Sequence, residues 1–141
     1  MNEPQKALVA ALRSGEYKQA KHVLCSFDEQ DKRFCCLGVA CDLYQKMVGG
    51  LKITETEHNR RYNDHGQDLP APVMVWLGFY NSIGVIDENR VKELQTLLNE
   101  KGLDKIEPYH LDTLAELNDN GTPFDVIADI IEKGLVRSNG E

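Results

Sequence analysis

Four cysteines, Cys25, Cys35, Cys36 and Cys41, fall in one short window of the chain. Thiols grouped this way offer metal ligation, disulfide formation or nucleophilic attack. Zinc sites use Cys-x2-Cys pairs or Cys/His pairs at ligand spacing. Here Cys35 and Cys36 are adjacent, and His22 with Cys25 matches no zinc template, so neither a metal nor another cofactor is expected. A disulfide framework would spread its cysteines along the chain. The start, Met1-Asn2-Glu3-Pro4, also lacks the basic and apolar regions of an export signal, so free thiols are expected. The nucleophile reading centres on Cys36, where an extended segment meets a helix. A helix N-terminus stabilises a thiolate and lowers its pKa. The matching base would be His65, in Asn63-Asp64-His65-Gly66, with a neighbour to orient it; a solvated loop histidine is the plainer reading.

The same segment also reads as packing. Free cysteine behaves as a small hydrophobe and is among the most buried residue types. Leu37, Ala40, Cys41 and Tyr44 fall three or four apart on one helical face. On this account Cys35, Cys36 and Cys41 are reduced, and most of them pack where a hairpin meets the helix from about 36 to 48. Gly38 would then permit close approach by another element.

Two further patterns bear on function. Phe34-Cys-Cys-Leu-Gly-Val39 resembles the nucleophile segment of papain-like cell-wall peptidases, in which an aromatic, Asp, Cys, Ser, Gly and an aliphatic residue run into a helix. This chain has Cys35 for the Asp and Leu37 for the Ser. Those enzymes need a His on a following barrel strand, whereas His65 falls in a loop and His110 precedes a helix. Near the end, Leu114-x-x-Leu117…Gly121…Phe124-x-x-Ile127-Ala128 has the spacing of a helix-turn-helix. Its second helix would carry Asp125, Asp129 and Glu132, which phosphates repel, so an αα-hairpin closing the core is the expected role. No phosphate loop, dinucleotide fingerprint, zinc-protease helix or calcium loop is present in the sequence.

The elements that must hold these residues follow from periodicity. Asn2 and Pro4 open a helix over 3–14, with Leu8, Val9 and Leu12 on one face. Residues 22–27 read as a strand, 28–31 as a polar turn and 32–35 as the return strand. A helix then carries Leu37, Val39, Ala40, Leu43, Tyr44 and Met47 before Gly49-Gly50. Lys52 to Thr56 reads as a strand and Glu57 to Asp68 as an exposed loop. Pro70 and Pro72 open a short helix bearing Val73, Val75, Trp76 and Leu77. Asp87 caps another, with Val91, Leu94, Leu97 and Leu98. Leu111, Leu114, Ala115 and Leu117 form one late helical face. Thr122 caps the last helix, with Pro123 at its first position and Phe124, Ile127, Ala128, Ile130 and Ile131 inward. Residues 136–141 are expected to fray. Strands cluster between 22 and 56 and helices dominate after 70, which predicts an α+β fold: about five helices on a small antiparallel hairpin or sheet, in a single domain over 1–141.

Composition narrows the partners. The 141 residues are 41% hydrophobic and 28% charged, as in ordinary globular chains, and the formal charge is −7. Asp plus Glu number 23 against 16 for Lys plus Arg, and the basic residues are scattered, which argues against general nucleic-acid binding through a basic face. No apolar run approaches the ~20 residues of a membrane helix. A local basic pocket for a small anion, or an acidic surface that docks on a basic partner, stays open. The pattern does not specify an oligomeric state.

Two segments together carry a wider resemblance. Lys32-Arg-Phe-Cys-Cys-Leu-Gly-Val-Ala-Cys-Asp-Leu43 follows Leu12-Arg-Ser-Gly-Glu-Tyr17, and Leu117-Asn-Asp-x-Gly121-x-x-Phe124-x-x-Ile127-Ala-Asp129-x-Ile131 lies near the end. With Leu69-Pro70…Trp76-Leu-Gly78 between them, the chain resembles a group of small uncharacterised proteins encoded by bacteriophages and prophages. Residues 80–110 are longer than that pattern leads one to expect. The resemblance implies an accessory protein in the cytoplasm of the bacterial host cell. Such a protein would bind a host protein or a small nucleotide-like signal, countering host defence or redirecting host physiology. The alternatives are a cysteine-dependent hydrolase or transferase using Cys36 and a virion component. Among the matching positions, Tyr17, Gln19, Arg33, Asp42, Asn118 and Asp119 are polar where packing alone does not demand it. They are the candidate ligand-binding residues, each with a bland reading as a helix end, a solvated charge or a half-buried side chain.

Overall fold

The computed structural model describes residues 1–28, 31–103 and 112–140. They form an α+β fold with six α-helices and a five-stranded mixed sheet among the described residues. Helix α1 (Glu3–Arg13) opens with a capping box: Asn2 Oδ1 accepts from Gln5 N at 2.8 Å, and Gln5 Oε1 accepts from Asn2 N at 3.4 Å. Its buried face of Leu8, Val9 and Leu12 packs chiefly on the last helix.

The sheet is built from β1 (Lys18–Gln19), β2 (Cys25–Asp28), β3 (Asp31–Phe34), β4 (Ile53–Glu55) and β5 (Asn59–Tyr62), in the order β1-β3-β2-β5-β4. β2 and β3 form the expected hairpin, with Cys25 opposite Phe34 and Phe27 opposite Lys32. Residues 29 and 30 of the expected turn lie outside the described residues. The strand expected from residue 22 begins at Cys25, because His22 is left-handed at φ 70° and cannot extend the ladder. The short β1 runs parallel to β3, which makes the sheet mixed.

The segment read as an exposed loop over 57–68 contains β5, which pairs with β2 and β4. Its sequence, Asn-Arg-Arg-Tyr, has one apolar position, Tyr62, which is buried. Arg60 supplies the rest: its stem and guanidinium cover the Phe27 and Tyr62 rings, and it pairs with Glu55 at 3.0 Å across the β4–β5 ladder. An apolar periodicity search passes over a strand whose inward surface is an arginine stem.

Helix α2 (Cys36–Met47) follows β3 directly, and α3 (Ala71–Leu77) ends at the left-handed Gly78. Asp87 caps a 3-10 turn, Glu88–Arg90, which leads into α4 (Val91–Glu100). Thr113 caps α5 (Leu114–Asp119), its Oγ1 accepting from Glu116 N at 3.0 Å. Leu111 of the expected helical face, and His110, lie outside the described residues. The last helix, α6 (Phe124–Glu132), is preceded by Pro123 in extended conformation. Pro123 therefore takes the cap position assigned to Thr122, whose buried hydroxyl has no hydrogen-bond partner among the described residues. Asp129 and Glu132 of α6 bind Arg13 of α1 at 2.5 and 3.0 Å, closing the two ends of the chain together.

Residues 136–140 are paired rather than frayed. Arg137 N donates to Val85 O at 2.8 Å, Asn139 N donates to Gly78 O at 3.0 Å, and Arg137 lies 3.6 Å above the Tyr80 ring centroid. The sheet and α2 share one core with α1, α5 and α6, centred on Leu24, Val39, Ala40, Leu117, Ile127 and Ile130.

Candidate functional site

The cysteine segment is positioned by the hairpin below and α5 above. Cys35 is the N-cap of α2, with Sγ accepting from Gly38 N at 3.4 Å, and Cys36 N donates to Asn118 Oδ1 at 3.1 Å. Gly38 is where α2 meets the sheet backbone: a Cβ there would stand 1.7 Å from Leu24 O. All four thiols are free and buried. Cys36 is 1% exposed, and its Sγ is directed to Leu114 O at 3.7 Å. Burial pushes the Cys35 thiol up to about 11 and raises Cys36 and Cys41 well above the ordinary 9.0. The helix N-terminus beside Cys36 favours a thiolate, but desolvation is the larger effect and keeps the sulfur protonated. This environment makes the segment a packing motif.

Three of the polar candidates form one closed cluster. Gln19 Nε2 donates to Asn118 Oδ1 at 2.9 Å and to Thr122 O at 2.8 Å. The buried Asn118 also donates from Nδ2 to Ala20 O at 2.8 Å. Asp119 accepts from His22 N at 2.7 Å, with His22 Nδ1 3.3 Å from its other oxygen. These bonds join β1, the 20–22 turn, α2 and α5, and they occupy both ends of the Asn118 amide. The cluster's geometry is that of a structural clamp.

Tyr17 and Asp42 meet elsewhere. Tyr17 Oη donates to Asp42 Oδ2 at 2.5 Å, and Lys46 Nζ binds the same oxygen at 2.8 Å. Lys46 sits one helical turn beyond Asp42, a spacing at which opposite charges meet. Its Nζ also lies 5.7 Å from the Tyr17 ring centroid, and the Tyr17 ring stands edge-on to Phe34 at 5.2 Å. Burial, and next the Asp42 hydrogen bond, push the Tyr17 phenol up to about 12. These residues line a cleft of about 420 Å³ with Glu16 and Lys32. Arg33 is not part of it; it lies 3.4 Å from Asp31. Successive strand residues face opposite ways, so Lys32 reaches the cleft where its neighbour does not. Lys32 and Lys46 were not singled out from sequence, although the Asp42-to-Lys46 spacing carries a signal for the second.

His65 lines a separate pocket of about 370 Å³, together with Arg61, Asp64, Gln67 and Asp68. Its Nδ1 is 2.7 Å from Asp68 Oδ1. A third feature is apolar: Tyr44 and Trp76 pack edge to face at 5.4 Å, and Met47 at the end of α2, Val48 just after it and Val75 of α3 are each more than half exposed. Among the described residues no group of three or more His, Cys, Asp or Glu is placed to hold a metal ion. No described helix is long and apolar enough to cross a membrane.

Residues 1–135 match the family model described as a domain of unknown function, DUF8296. No curated protein and no solved structure matches the chain.

Proposed function

We propose, for a chain that belongs to the DUF8296 family, a phage- or prophage-encoded accessory protein of the bacterial host cytoplasm that binds a small nucleotide-like anion in the Tyr17–Asp42–Lys46 cleft. The observation that carries this reading is the lining itself. Lys32 has no ionic partner among the described residues and can seat a phosphate, while Lys46 can share its charge between Asp42 and a ligand. Asp42 and Glu16 offer acceptors for hydroxyl or amino groups, and the Tyr17 ring supplies an apolar wall. A volume of about 420 Å³ is in the range of small-molecule sites. Lysines, carboxylates and an aromatic ring together suit a molecule that carries both an anion and hydrogen-bond donors, as nucleotides do. Binding rather than catalysis is favoured because the buried cysteines leave no accessible thiol nucleophile in the segment that resembled one.

Calorimetric titration with a panel of linear and cyclic nucleotides tests this. At least one should bind saturably, and Lys32→Ala with Lys46→Ala should weaken it at least tenfold while the melting temperature stays close to wild type. A panel without a binder, or a double variant that binds as tightly as the parent, would overturn the reading. A second reading, docking on a host protein, rests on the exposed Met47, Val48 and Val75 beside the Tyr44–Trp76 pair, since exposed apolar and aromatic side chains concentrate at interfaces. Met47→Asp with Val75→Asp would abolish that docking and leave nucleotide binding intact.

A further inference from the structure

The pocket around His65 is built by a different piece of chain. Strand β5 ends at Tyr62, and a tight turn through Asn63 and Asp64, both left-handed at φ 51° and 66°, returns the backbone so that Tyr62 and His65 exchange hydrogen bonds at 2.9 Å. Asn63 fixes the turn from outside: its Oδ1 accepts from Lys52 N at 2.7 Å, and its N donates to Lys52 O at 2.8 Å. Gly66 O accepts from Leu24 N at 2.8 Å, tying the loop to the core. The pocket wall is therefore anchored at three backbone points.

The side chains on that wall are unequal in what they lack. Asp68 has the His65 ring at 2.7 Å, and Asp64 has Lys52 at 3.7 Å. Arg61 is the one charged group of the lining with no hydrogen-bond or ionic partner among the described residues. Its stem crosses Gly66 closely enough that a Cβ there would touch Arg61 Cγ and Nε at 3.6 Å. The guanidinium thus lies beside the pocket, its fork of donors unused among the described residues. Asp68 occupies the Nδ1 edge of His65, and the Nε2 edge of the ring has no partner among the described residues.

We propose that this pocket binds the oxyanion of a small ligand, a phosphate or a carboxylate, on Arg61, with the free edge of His65 taking a hydroxyl or N–H of the same molecule. A planar guanidinium meets either oxyanion through two parallel hydrogen bonds, and a volume of about 370 Å³ admits a ligand of several heavy atoms beyond that group. Asp68 acts as the positioning residue that fixes which ring edge faces the ligand. The site is independent of the Tyr17 cleft: they share no lining residue.

Imidazole resonances of His65, followed in the full chain at fixed pH and ionic strength, give the test. Inorganic phosphate, acetate and chloride are titrated separately, the first two separating the phosphate from the carboxylate source. Phosphate or acetate should shift His65 saturably and chloride should not. Arg61→Gln should weaken that response at least tenfold, and Arg61→Lys, which keeps the charge and loses the fork, should fall between. Lys32→Ala with Lys46→Ala should leave it unchanged. No saturable shift with either oxyanion, a response that chloride reproduces, or one that survives Arg61→Gln in a variant melting like wild type would each overturn the proposal.

Discussion

At the scale of single residues, Gly38 has the strictest requirement in the chain. Its α-carbon lies against the Leu24 carbonyl, and a methyl group there would overlap that oxygen at 1.7 Å. Backbone cannot rotate away as a side chain can, so Gly38→Ala must push α2 off the Leu24 backbone that leads into β2. Overpacking of this kind costs about 3 kcal/mol. Urea denaturation should show that loss or an unfolded protein, and a change below about 1 kcal/mol would contradict the close approach. The need for a small residue at Gly38 was legible in the helical pattern, and so was the burial of most of Cys35, Cys36 and Cys41; the structure buries all three, Cys35 as well as its neighbour Cys36. The partner at the contact was not, because it is a main-chain oxygen from a segment whose strand starts later than its side chains imply. Tyr17 and Asp42 were legible as polar residues without a packing reason; the convergence of these two, and the separate fate of Arg33, depended on strand direction and on the start of β3.

At the scale of elements, Asn118 joins α5 to three other parts of the fold. Its amide takes the first N–H of α2 and the Gln19 amide on its oxygen, and gives its own N–H to Ala20 O. Asn118→Ala would leave a buried donor and a buried acceptor unmatched, each costing about 1–3 kcal/mol. We expect urea denaturation to show a loss of about 3 kcal/mol in unfolding free energy, with nucleotide binding in the Tyr17 cleft unchanged whenever the variant is folded. A variant as stable as the parent would show that water replaces the amide. Polarity at this position was visible in the sequence, and its setting at the end of a helix pointed to a local cap. The long-range role came from packing α5 over the start of α2, which no local signal specifies. Strand β5 shows the same limit from the other side. Its Arg60 stem did the covering that apolar residues usually do, so hydrophobic periodicity passed over it.

For the whole molecule, the mixture of strands before residue 56 and helices after 70 was enough to give the α+β class, because segregated elements leave few ways to share a core. The paired C-terminal segment was missed because its anchoring is main-chain hydrogen bonding and one Arg137–Tyr80 stack. Global stability should also carry the signature of the buried acids. The Cys35 thiol moves from 9.0 to about 11 and the Tyr17 phenol from 10.0 to about 12 on folding. Both folded values lie above the unfolded ones, so the stabilisation is complete below the unfolded values and is lost as pH climbs from about 9 towards 12. Cys35 alone accounts for about 2–3 kcal/mol of that loss. Chemical denaturation as a function of pH should therefore show stability declining above about pH 9, with a shallower decline in Cys35→Ala. A flat profile across this window would contradict the burial of these groups.

The central claim is that the Tyr17–Asp42–Lys46 cleft receives a nucleotide-like anion. Backbone amide spectra of the labelled protein, titrated with the tightest-binding nucleotide of the calorimetric panel, test it most directly. Saturable shifts should concentrate at Tyr17, Lys32, Phe34, Asp42 and Lys46 and vanish in Lys32→Ala with Lys46→Ala, with the Met47–Val75 face unmoved and any phosphate response of the Arg61–His65 pocket surviving that double variant. Shifts absent from the Tyr17 cleft, centred on the Met47–Val75 face, or spread without a focus would contradict it.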